Sequence, residues 1–152
     1  MRYKPNSTVA TIIEQNDKLL FVEEMDNGKV VYNQPAGHIE ENETIIQAAM
    51  REVTEETGHT CKVTAYLGLY TYTAPSNGTT YHRHCFIGSS ESFDANATLD
   101  EGIIGIKWMT LDELLQSGQA RSPLVIKCAA DYLNGKSYPL DLIYEHPNDQ
   151  TH

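Results

Sequence analysis

The sequence predicts an α+β fold in which helices pack against a mixed β-sheet. Runs of β-branched and large apolar residues predict strands, and segments with a period of about 3.6 residues predict helices. They follow the order strands, one helix, strands, two helices, which is typical of an α+β or sandwich architecture. The 152 residues, with 40% apolar and 21% charged side chains, fit one folded domain over residues 1–152 and exclude a disordered or fibrous chain.

The amino-terminal part predicts three strands joined by short turns. Asn16 and Asp17 are a hairpin turn signal, and a second turn ends at Gly28. Pro35 and Gly37 end the third strand and open a loop. The predicted strands are Thr8–Ile13, Lys18–Glu23 and Lys29–Asn33.

A helix is predicted from Glu43 to Thr57, where the period changes from two to about 3.6 residues. Asn42 is a suitable N-cap, the charge of Glu43 suits the positive helix start, and Gly58 is a typical left-handed stop. The residues at helical spacing, which we expect to face the core, are Ile46, Ala49, Met50 and Val53.

The second half of the chain predicts three more strands and two more helices. A loop with Pro75 and Gly78 separates the first two strands. Thr110 is the predicted N-cap of one helix, and Ser122 precedes another over Pro123–Leu133. Residues 146–152 are expected to fray. The predicted strands are Cys61–Thr73, Thr79–Gly88 and Ile103–Met109.

The net charge of −10 argues against a duplex nucleic acid partner, because no long basic run could follow a phosphate backbone. We see neither a secretory leader nor an apolar stretch of membrane-spanning length near the amino terminus. We therefore expect a cytoplasmic protein with no membrane partner, either a monomer or a small homo-oligomer. The scattered Cys61, Cys85 and Cys128 predict reduced, buried thiols.

Negative charge is concentrated between residues 37 and 56, where six glutamates are accompanied by one arginine, Arg51. On the predicted helix Glu52, Glu55 and Glu56 form a patch spanning about 100° of the surface, and Glu56 borders the buried stripe. Like charges at these spacings repel, so the patch indicates a bound cation. Carboxylate oxygens suit Mg²⁺, Mn²⁺ or Ca²⁺. A solvated acidic helix face is the alternative that spacing alone leaves open.

The segment GHIEENETIIQAAMREVTEETGH, from Gly37 to His59, has a fixed spacing of glycine, glutamate and arginine. It resembles the Nudix box, Gly-X5-Glu-X7-Arg-Glu-U-X-Glu-Glu-X-Gly-U, and departs from it only at His59, where a bulky aliphatic residue U is usual. The stretches QPAGH at 34–38, RSPLV at 121–125 and YPL at 138–140 are similar to those of the NudJ-type phosphatases of the Nudix hydrolase family. This likeness runs from about residue 3 to residue 144.

The resemblance implies a Nudix fold, an α/β/α sandwich whose mixed β-sheet carries the box as a loop–helix–loop. It also implies metal-dependent hydrolysis of phosphoanhydride bonds in nucleoside tri- and diphosphates, thiamine pyrophosphate and hydroxymethylpyrimidine pyrophosphate. Arg51, Glu52 and Glu55 then correspond to the catalytic residues, with Glu55 either a shared ligand or the general base. The implied ligands of Mg²⁺, or of Mn²⁺, are the Gly37 carbonyl, Glu52, Glu55 and Glu56.

Four polar residues outside the box are candidates for substrate binding. Arg83, in a predicted strand, is expected to contact a substrate phosphate, with a surface ion pair as the alternative. Arg121 precedes a helix start whose free N–H groups could hold an anion, and ordinary capping is the alternative. Asn33 and Gln34 are expected to bind the edge of a base or pyrimidine, or else to satisfy the loop backbone.

A later loop and the aromatic residues supply further candidates. Asp100 or Glu101 is the expected additional carboxylate near the metal, since many Nudix enzymes recruit one from a later loop. His38 is expected to form a loop hydrogen bond rather than to transfer a proton. Tyr70 and Tyr72 share a strand face by alternation and are the first candidates for stacking on a substrate ring.

Two other functions remain open from the sequence alone. An ADP-ribose or sugar-nucleotide pyrophosphatase would carry a proline at a set distance past the box, where this sequence has Thr73 with Pro75 nearby. A regulatory module that binds a nucleotide without cleaving it typically lacks box carboxylates, and here Glu52, Glu55 and Glu56 are all present. In the leading hypothesis the partner is a small phosphorylated metabolite.

Overall fold

The computed structural model of the protein describes residues 1–147, so most of the segment expected to fray, residues 148–152, lies outside the described part. The elements follow the predicted order. The strands are β1 (Asn6–Gln15), β2 (Lys18–Asp26), β3 (Lys29–Asn33), β4 (Ala36–His38), β5 (His59–Thr73), β6 (Thr80–Phe93) and β7 (Ile103–Met109). The helices are α1 (Ile45–Thr57), α2 (Leu111–Ser117) and α3 (Pro123–Leu133), followed by a 3₁₀ turn at Leu140–Leu142.

Strand β1 lies at the centre of a mixed sheet. It pairs in parallel with β6 and antiparallel with β4, and β5 pairs antiparallel with β6. Its last residues form a hairpin with β2 through Asn16 and Asp17, both of which have positive φ angles. β2 then pairs antiparallel with β3 and β7. The mixed sheet predicted from the sequence is therefore confirmed.

Two apolar clusters on opposite faces of this sheet hold the helices, and alternation along β1 contributes to both. Helix α1 packs on one face, and α2 and α3 pack on the other, which confirms the α/β/α sandwich. The cluster under α1 includes Val9, Ile13, Ala49, Val53 and Phe86. The cluster under α2 and α3 includes Ile12, Leu67, Leu114, Val125 and Cys128. Among residues 1–147, no helix is both long and apolar enough to cross a membrane.

Helix α1 begins two residues later than predicted. Its N-cap is Thr44, because the Thr44 hydroxyl accepts a hydrogen bond from the Gln47 N–H at 3.0 Å and the Gln47 side chain accepts one from the Thr44 N–H at 2.8 Å. Asn42, the predicted cap, lies in the preceding loop with φ of 67°. Glu43 also precedes the helix, whereas Gly58 ends it in the left-handed conformation, as predicted.

Regular structure extends beyond the predicted bounds on both sides of α1. Residues 36–38, predicted as loop, form β4, whose Gly37 pairs with Val9 of β1. Strands β5 and β6 extend to His59 and Phe93, which pair with each other. The His59 ring stacks on Phe93 at 4.4 Å between centroids and meets Trp108 edge-on at 5.6 Å. Aromatic packing thus occupies the position where the Nudix box usually has an aliphatic residue.

Candidate active site

A cleft of about 770 Å³ lies where β4 and α1 meet the β5–β6 hairpin and the chain before α3. It brings together carboxylates, arginines and aromatic rings that are far apart in the sequence. Its lining includes Thr8, Glu24, Asn33, Gly37, His38, Glu52, Glu56, Tyr72, Tyr81, Arg83 and Arg121.

Two buried carboxylates of helix α1 pack against the backbone of the short strand β4. Glu52 and Glu56 are 8% and 9% exposed, so they do not form a solvated face. The Ala36 N–H donates to Glu56 Oε1 at 2.9 Å. A Cβ at Gly37 would overlap the Glu52 carboxylate, so glycine alone lets the β4 backbone approach it this closely.

Arg51 orients the carboxylates of α1. Its guanidinium donates to both oxygens of Glu43, at 2.7 and 3.0 Å. Its Nη1 donates to Glu52 at 2.6 Å and to Glu55 at 2.8 Å, and its Nη2 also donates to the His38 carbonyl at 2.9 Å. The hydrogen bond with Glu43 is the largest cause that raises the pKa of Arg51 and lowers the pKa of Glu43. The arginine therefore ties the loop, β4 and the helix together.

One arginine does not neutralise the carboxylates of this region. Burial raises the pKa of Glu56 to about 8 and raises the pKa of Glu52 above its usual range. Burial, with the charge of Glu55, also raises the pKa of Asp100. Holding these groups ionised together is costly unless another positive charge is bound, and a divalent cation supplies such a charge.

Three of the carboxylates converge closely enough to share a cation. Glu52, Glu55 and Asp100 each offer an oxygen within 4.8 Å of the others. The loop before β7 delivers Asp100, whose N–H donates to the Glu55 carbonyl at 3.0 Å, so Asp100 rather than Glu101 belongs to the group. We call Glu52, Glu55, Glu56 and Asp100 the acidic cluster.

Arg83 lies in the cleft in a different environment. It is 8% exposed, and its guanidinium donates to the side-chain oxygens of Gln34 at 2.9 Å and Asn33 at 3.0 Å. Gln34 is fully buried and donates in turn to the Val125 carbonyl of α3 at 2.8 Å. Gln34 therefore does not present its side chain to the cleft, whereas Asn33 lines it. Both amides hold Arg83.

Arg121 lines the cleft as one member of an ion pair. Its Nη1 lies 2.6 Å from a carboxylate oxygen of Glu24, and its Nη2 lies 3.9 Å from Asp26. The helix start beside it is capped in the ordinary way, since the Ser122 hydroxyl accepts from the Leu124 N–H at 3.2 Å. The capping alternative is therefore present, and the charge of Arg121 is already paired.

Of the two tyrosines first considered for stacking, only Tyr72 lines the cleft. Tyr70 is 7% exposed and donates to the Asp131 carboxylate of α3 at 2.8 Å. The expectation for Tyr70 is corrected because α3 covers that part of the strand face. Tyr81, the cross-strand partner of Tyr72, also lines the cleft.

Sequence reasoning missed Glu24, a buried carboxylate of the cleft that is 7% exposed. The sequence shows no alternation that would reveal it, because residues 19–22 are a continuous apolar run that is buried on both faces. In the structure Glu24 lies two positions beyond the buried Val22 and faces the same side of the sheet. A buried carboxylate needs a partner, and Arg121 supplies it.

The fold and the site together define an α/β/α hydrolase that carries an acidic cluster on a loop–helix–loop. The family profile described as the NUDIX domain matches residues 3–127, which is most of the chain. The protein therefore belongs to the Nudix family and is a Nudix hydrolase, as the box predicts.

Known relatives support this assignment along nearly the whole chain. Phosphatase NudJ of Escherichia coli K12 is 38% identical over 141 residues, covering 93% of this chain and 92% of that protein. A NUDIX hydrolase from Nitrosomonas europaea has a TM-score of 0.91 at 49% identity, covering 94% of this chain and 98% of that one. An ADP-ribose pyrophosphatase from Streptococcus suis shares the fold alone, with a TM-score of 0.66 at 15% identity, covering 89% and 96%. The resemblance to NudJ-type phosphatases is confirmed.

Proposed function

We propose that the protein hydrolyses phosphoanhydride bonds in nucleoside tri- and diphosphates and in related small diphosphates, including thiamine pyrophosphate and hydroxymethylpyrimidine pyrophosphate. The observation that carries this proposal is that Glu52 and Glu56 of the acidic cluster line the same cleft as Arg83. Carboxylates alone repel a polyphosphate, so the cleft needs both a bound divalent cation and a cationic side chain to accept one. The similarity to Phosphatase NudJ supports release of phosphate.

The donor set fits a hard divalent cation, which we propose is Mg²⁺, with Mn²⁺ as the alternative. Glu52, Glu55 and Asp100 offer converging oxygens, and Glu56 is buried beside them. The Gly37 carbonyl lies in the strand that touches the Glu52 carboxylate. These groups would hold the metal, which when bound polarises phosphoryl oxygens and lowers the pKa of a coordinated water.

The remaining residues of the cleft have defined roles in this proposal. Arg51 keeps the carboxylates oriented, and Glu55, the most exposed of the three box carboxylates on α1, is a shared ligand or the general base. Arg83 binds a substrate phosphate. Arg121, oriented by Glu24, is a second contact for the substrate at the cleft wall. Asn33 borders the cleft, whereas Gln34 acts through Arg83.

The aromatic lining favours substrates that carry a planar ring. Tyr72 and Tyr81 are half-buried cross-strand neighbours in the cleft, and a ring stacked on either keeps its phosphates near Arg83, two residues from Tyr81 on the same strand. We further propose that residues 1–152 form one catalytic domain. It acts in the cytoplasm as a monomer or small homo-oligomer, on small metabolites rather than on duplex nucleic acid or at a membrane.

The direct test is a substrate panel with phosphate and pyrophosphate counted separately. The panel contains nucleoside tri- and diphosphates, ADP-ribose, thiamine pyrophosphate and hydroxymethylpyrimidine pyrophosphate, each with Mg²⁺ and with chelator. We expect phosphate from the nucleotides and from the two thiamine-pathway diphosphates, and no product with chelator. Release of pyrophosphate alone from nucleoside triphosphates, or preference for ADP-ribose, would reject the proposed specificity.

Glu56→Gln tests the role of the acidic cluster. The Gln side chain keeps an oxygen to accept from the Ala36 N–H, so the variant should fold, while turnover at low Mg²⁺ should fall by at least about a hundredfold because a buried ligand charge is lost. The matched control is Glu101→Gln, in the same region but outside the cluster, which should keep turnover within about twofold. Wild-type-like turnover of Glu56→Gln would reject its role as a ligand.

A further inference from the structure

The arginines that border the acidic cluster and the cleft are held in two different ways. Arg51 and Arg121 form ion pairs with carboxylates at 2.6 to 2.8 Å. Arg83 is almost fully buried, yet within residues 1–147 it has no carboxylate within 4.0 Å, and it donates to the neutral amides of Asn33 and Gln34. Buried arginines are normally paired with an anion, so this charge lacks its usual partner.

The amide contacts fix the guanidinium without neutralising it. Gln34 is anchored on the other side by the Val125 carbonyl of α3, and Asn33 ends strand β3. Since the two amide oxygens accept from different nitrogens of the guanidinium, they fix the orientation of its plane. The guanidinium also lies beside the Cys128 thiol of α3, and Arg83 lines the cleft, where a ligand can reach it.

The sheet register relates this charge to the acidic cluster. Thr8 of β1 pairs with Arg83 on one side and with His38 on the other, so the three residues lie side by side on three adjacent strands. Arg83 and His38 are therefore separated by two strand spacings, roughly 10 Å between Cα atoms. His38 follows Gly37, which touches Glu52. Successive residues of a strand face opposite sides of the sheet, so Arg83 points to the α3 face and Gly37 to the α1 face, where Glu52 lies. Arg83 and Glu52 therefore reach the same cleft from opposite faces of the sheet, without pairing.

We propose that Asn33 and Gln34 are positioning residues that keep Arg83 as an anion subsite reserved for a phosphate group of the substrate. The amides are neutral, so the bound phosphate is the first full negative charge that the guanidinium meets. A carboxylate in either position would form an ion pair with Arg83 and compete with a phosphate for its guanidinium. This inference rests on the proposed phosphoanhydride hydrolysis. In it, the affinity of the cleft for the substrate depends on the two uncharged side chains that hold Arg83.

The test is Asn33→Asp, which keeps an oxygen for Arg83 and adds one negative charge without changing volume. We expect KM for ADP and for thiamine pyrophosphate to rise about 10- to 100-fold, the loss expected for a hydrogen bond to a charged group. We expect kcat to change little, since the contact exists in the ground and transition states alike. The melting temperature should not fall, because a buried charge gains a partner.

Asn27→Asp is the matched control, since Asn27 lines the same cleft but makes no hydrogen bond to Arg83. It adds the same charge at a residue whose positive φ of 52° Asp tolerates, and KM should stay within about twofold of wild type. An equal rise of KM in both variants would mean general repulsion of the substrate and would overturn the proposal. So would an unchanged KM in Asn33→Asp.

Arg83→Met completes a double-mutant cycle with Asn33→Asp. If the amide acts only through the arginine, the double variant should have the KM of Arg83→Met alone. Independent, multiplicative effects would overturn the assignment. Calorimetric titration with inorganic pyrophosphate in the presence of Ca²⁺ repeats the comparison without turnover. If wild-type protein cleaves neither substrate, the proposed function fails, and the pyrophosphate titration still tests the subsite.

Discussion

Gly37 and Glu52 approach each other so closely that there is no room for a side chain at position 37. A methyl group at position 37 would overlap the Glu52 carboxylate rather than the flexible end of a free side chain, because that carboxylate is also held by Arg51 at 2.6 Å. The requirement for glycine here arises from close approach between a strand and the carboxylate of Glu52, a proposed metal ligand. The box glycine is therefore explained by packing.

Gly37→Ala should displace Glu52 and weaken Mg²⁺ or Mn²⁺ binding by roughly 10–100-fold, the range seen when groups that orient metal ligands are changed. Titration calorimetry measures the affinity, and circular dichroism confirms that the protein stays folded. Gly105→Ala is the control, since a Cβ there meets nothing within 4 Å and its φ is not positive. Equal metal affinity in wild type and Gly37→Ala would contradict this account.

The helix that carries the carboxylates is fixed at its start by side chains from two distant parts of the chain. Thr44 and Gln47 form a capping box, and the Glu145 carboxylate accepts from the Ile45 N–H at 2.7 Å. Glu43, just before the cap, binds Arg51. The position of the helix start therefore influences the orientation of the acidic cluster through one arginine.

Thr44→Ala should lower the free energy of unfolding by about 1 kcal/mol, the usual cost of losing an N-cap. It should also weaken metal binding by less than about tenfold, because Glu43 and Arg51 lose part of their alignment. Thr110→Ala, which removes the same type of capping box from α2, should cost a similar free energy with unchanged metal affinity. Urea unfolding and metal titration of both variants provide the test, and equal metal affinities in the two would reject the coupling.

Elements with a strong local signal could be predicted from the sequence, and the others could not. The body of α1 and its glycine stop follow from periodicity and the left-handed signal. Its start was misplaced because Asn42 and Thr44 are both good caps, and only the reciprocal bond with Gln47 selects Thr44. Strand β4 was missed because Gly37 reads as a strand breaker, although pairing with β1 stabilises it.

The residues of the candidate site also fall into those with a local sequence signal and those without one. The box is contiguous, so its carboxylates and Arg51 could be singled out from spacing and resemblance. The contact between Arg83 and Asn33 joins residues 50 positions apart on two strands, β3 and β6, that are not neighbours in the sheet, so it depends on the whole fold. A sequence offers no local signal for such a contact, which is why it left Asn33 and Gln34 between the edge of a base or pyrimidine and the loop backbone.

In the whole molecule, α1 is held against the sheet at both of its ends. At the carboxyl end, His59, the first residue of β5, packs into the sheet. This side chain is 4% exposed, its ring packs between Phe93 and Trp108, and its Nδ1 lies 2.7 Å from the Ser90 hydroxyl. Burial lowers the pKa of His59. A proton is therefore bound more readily in the unfolded chain, and acid favours unfolding through this residue.

In the unfolded chain the imidazole has a pKa of about 6.5. The contribution of neutral His59 to the free energy of unfolding is therefore complete above that pH. It is lost as the pH falls from there toward the lowered pKa of the folded state, by at most about 1.4 kcal/mol per pH unit. In His59→Leu, which restores the aliphatic residue usual in the Nudix box, the free energy of unfolding should fall less between pH 7 and pH 5. The raised pKa values of Glu52 and Glu56 act in the opposite direction in both proteins, so the difference between the two profiles isolates the histidine. Urea unfolding across this range measures it, and parallel profiles would mean that His59 is not held neutral by the fold.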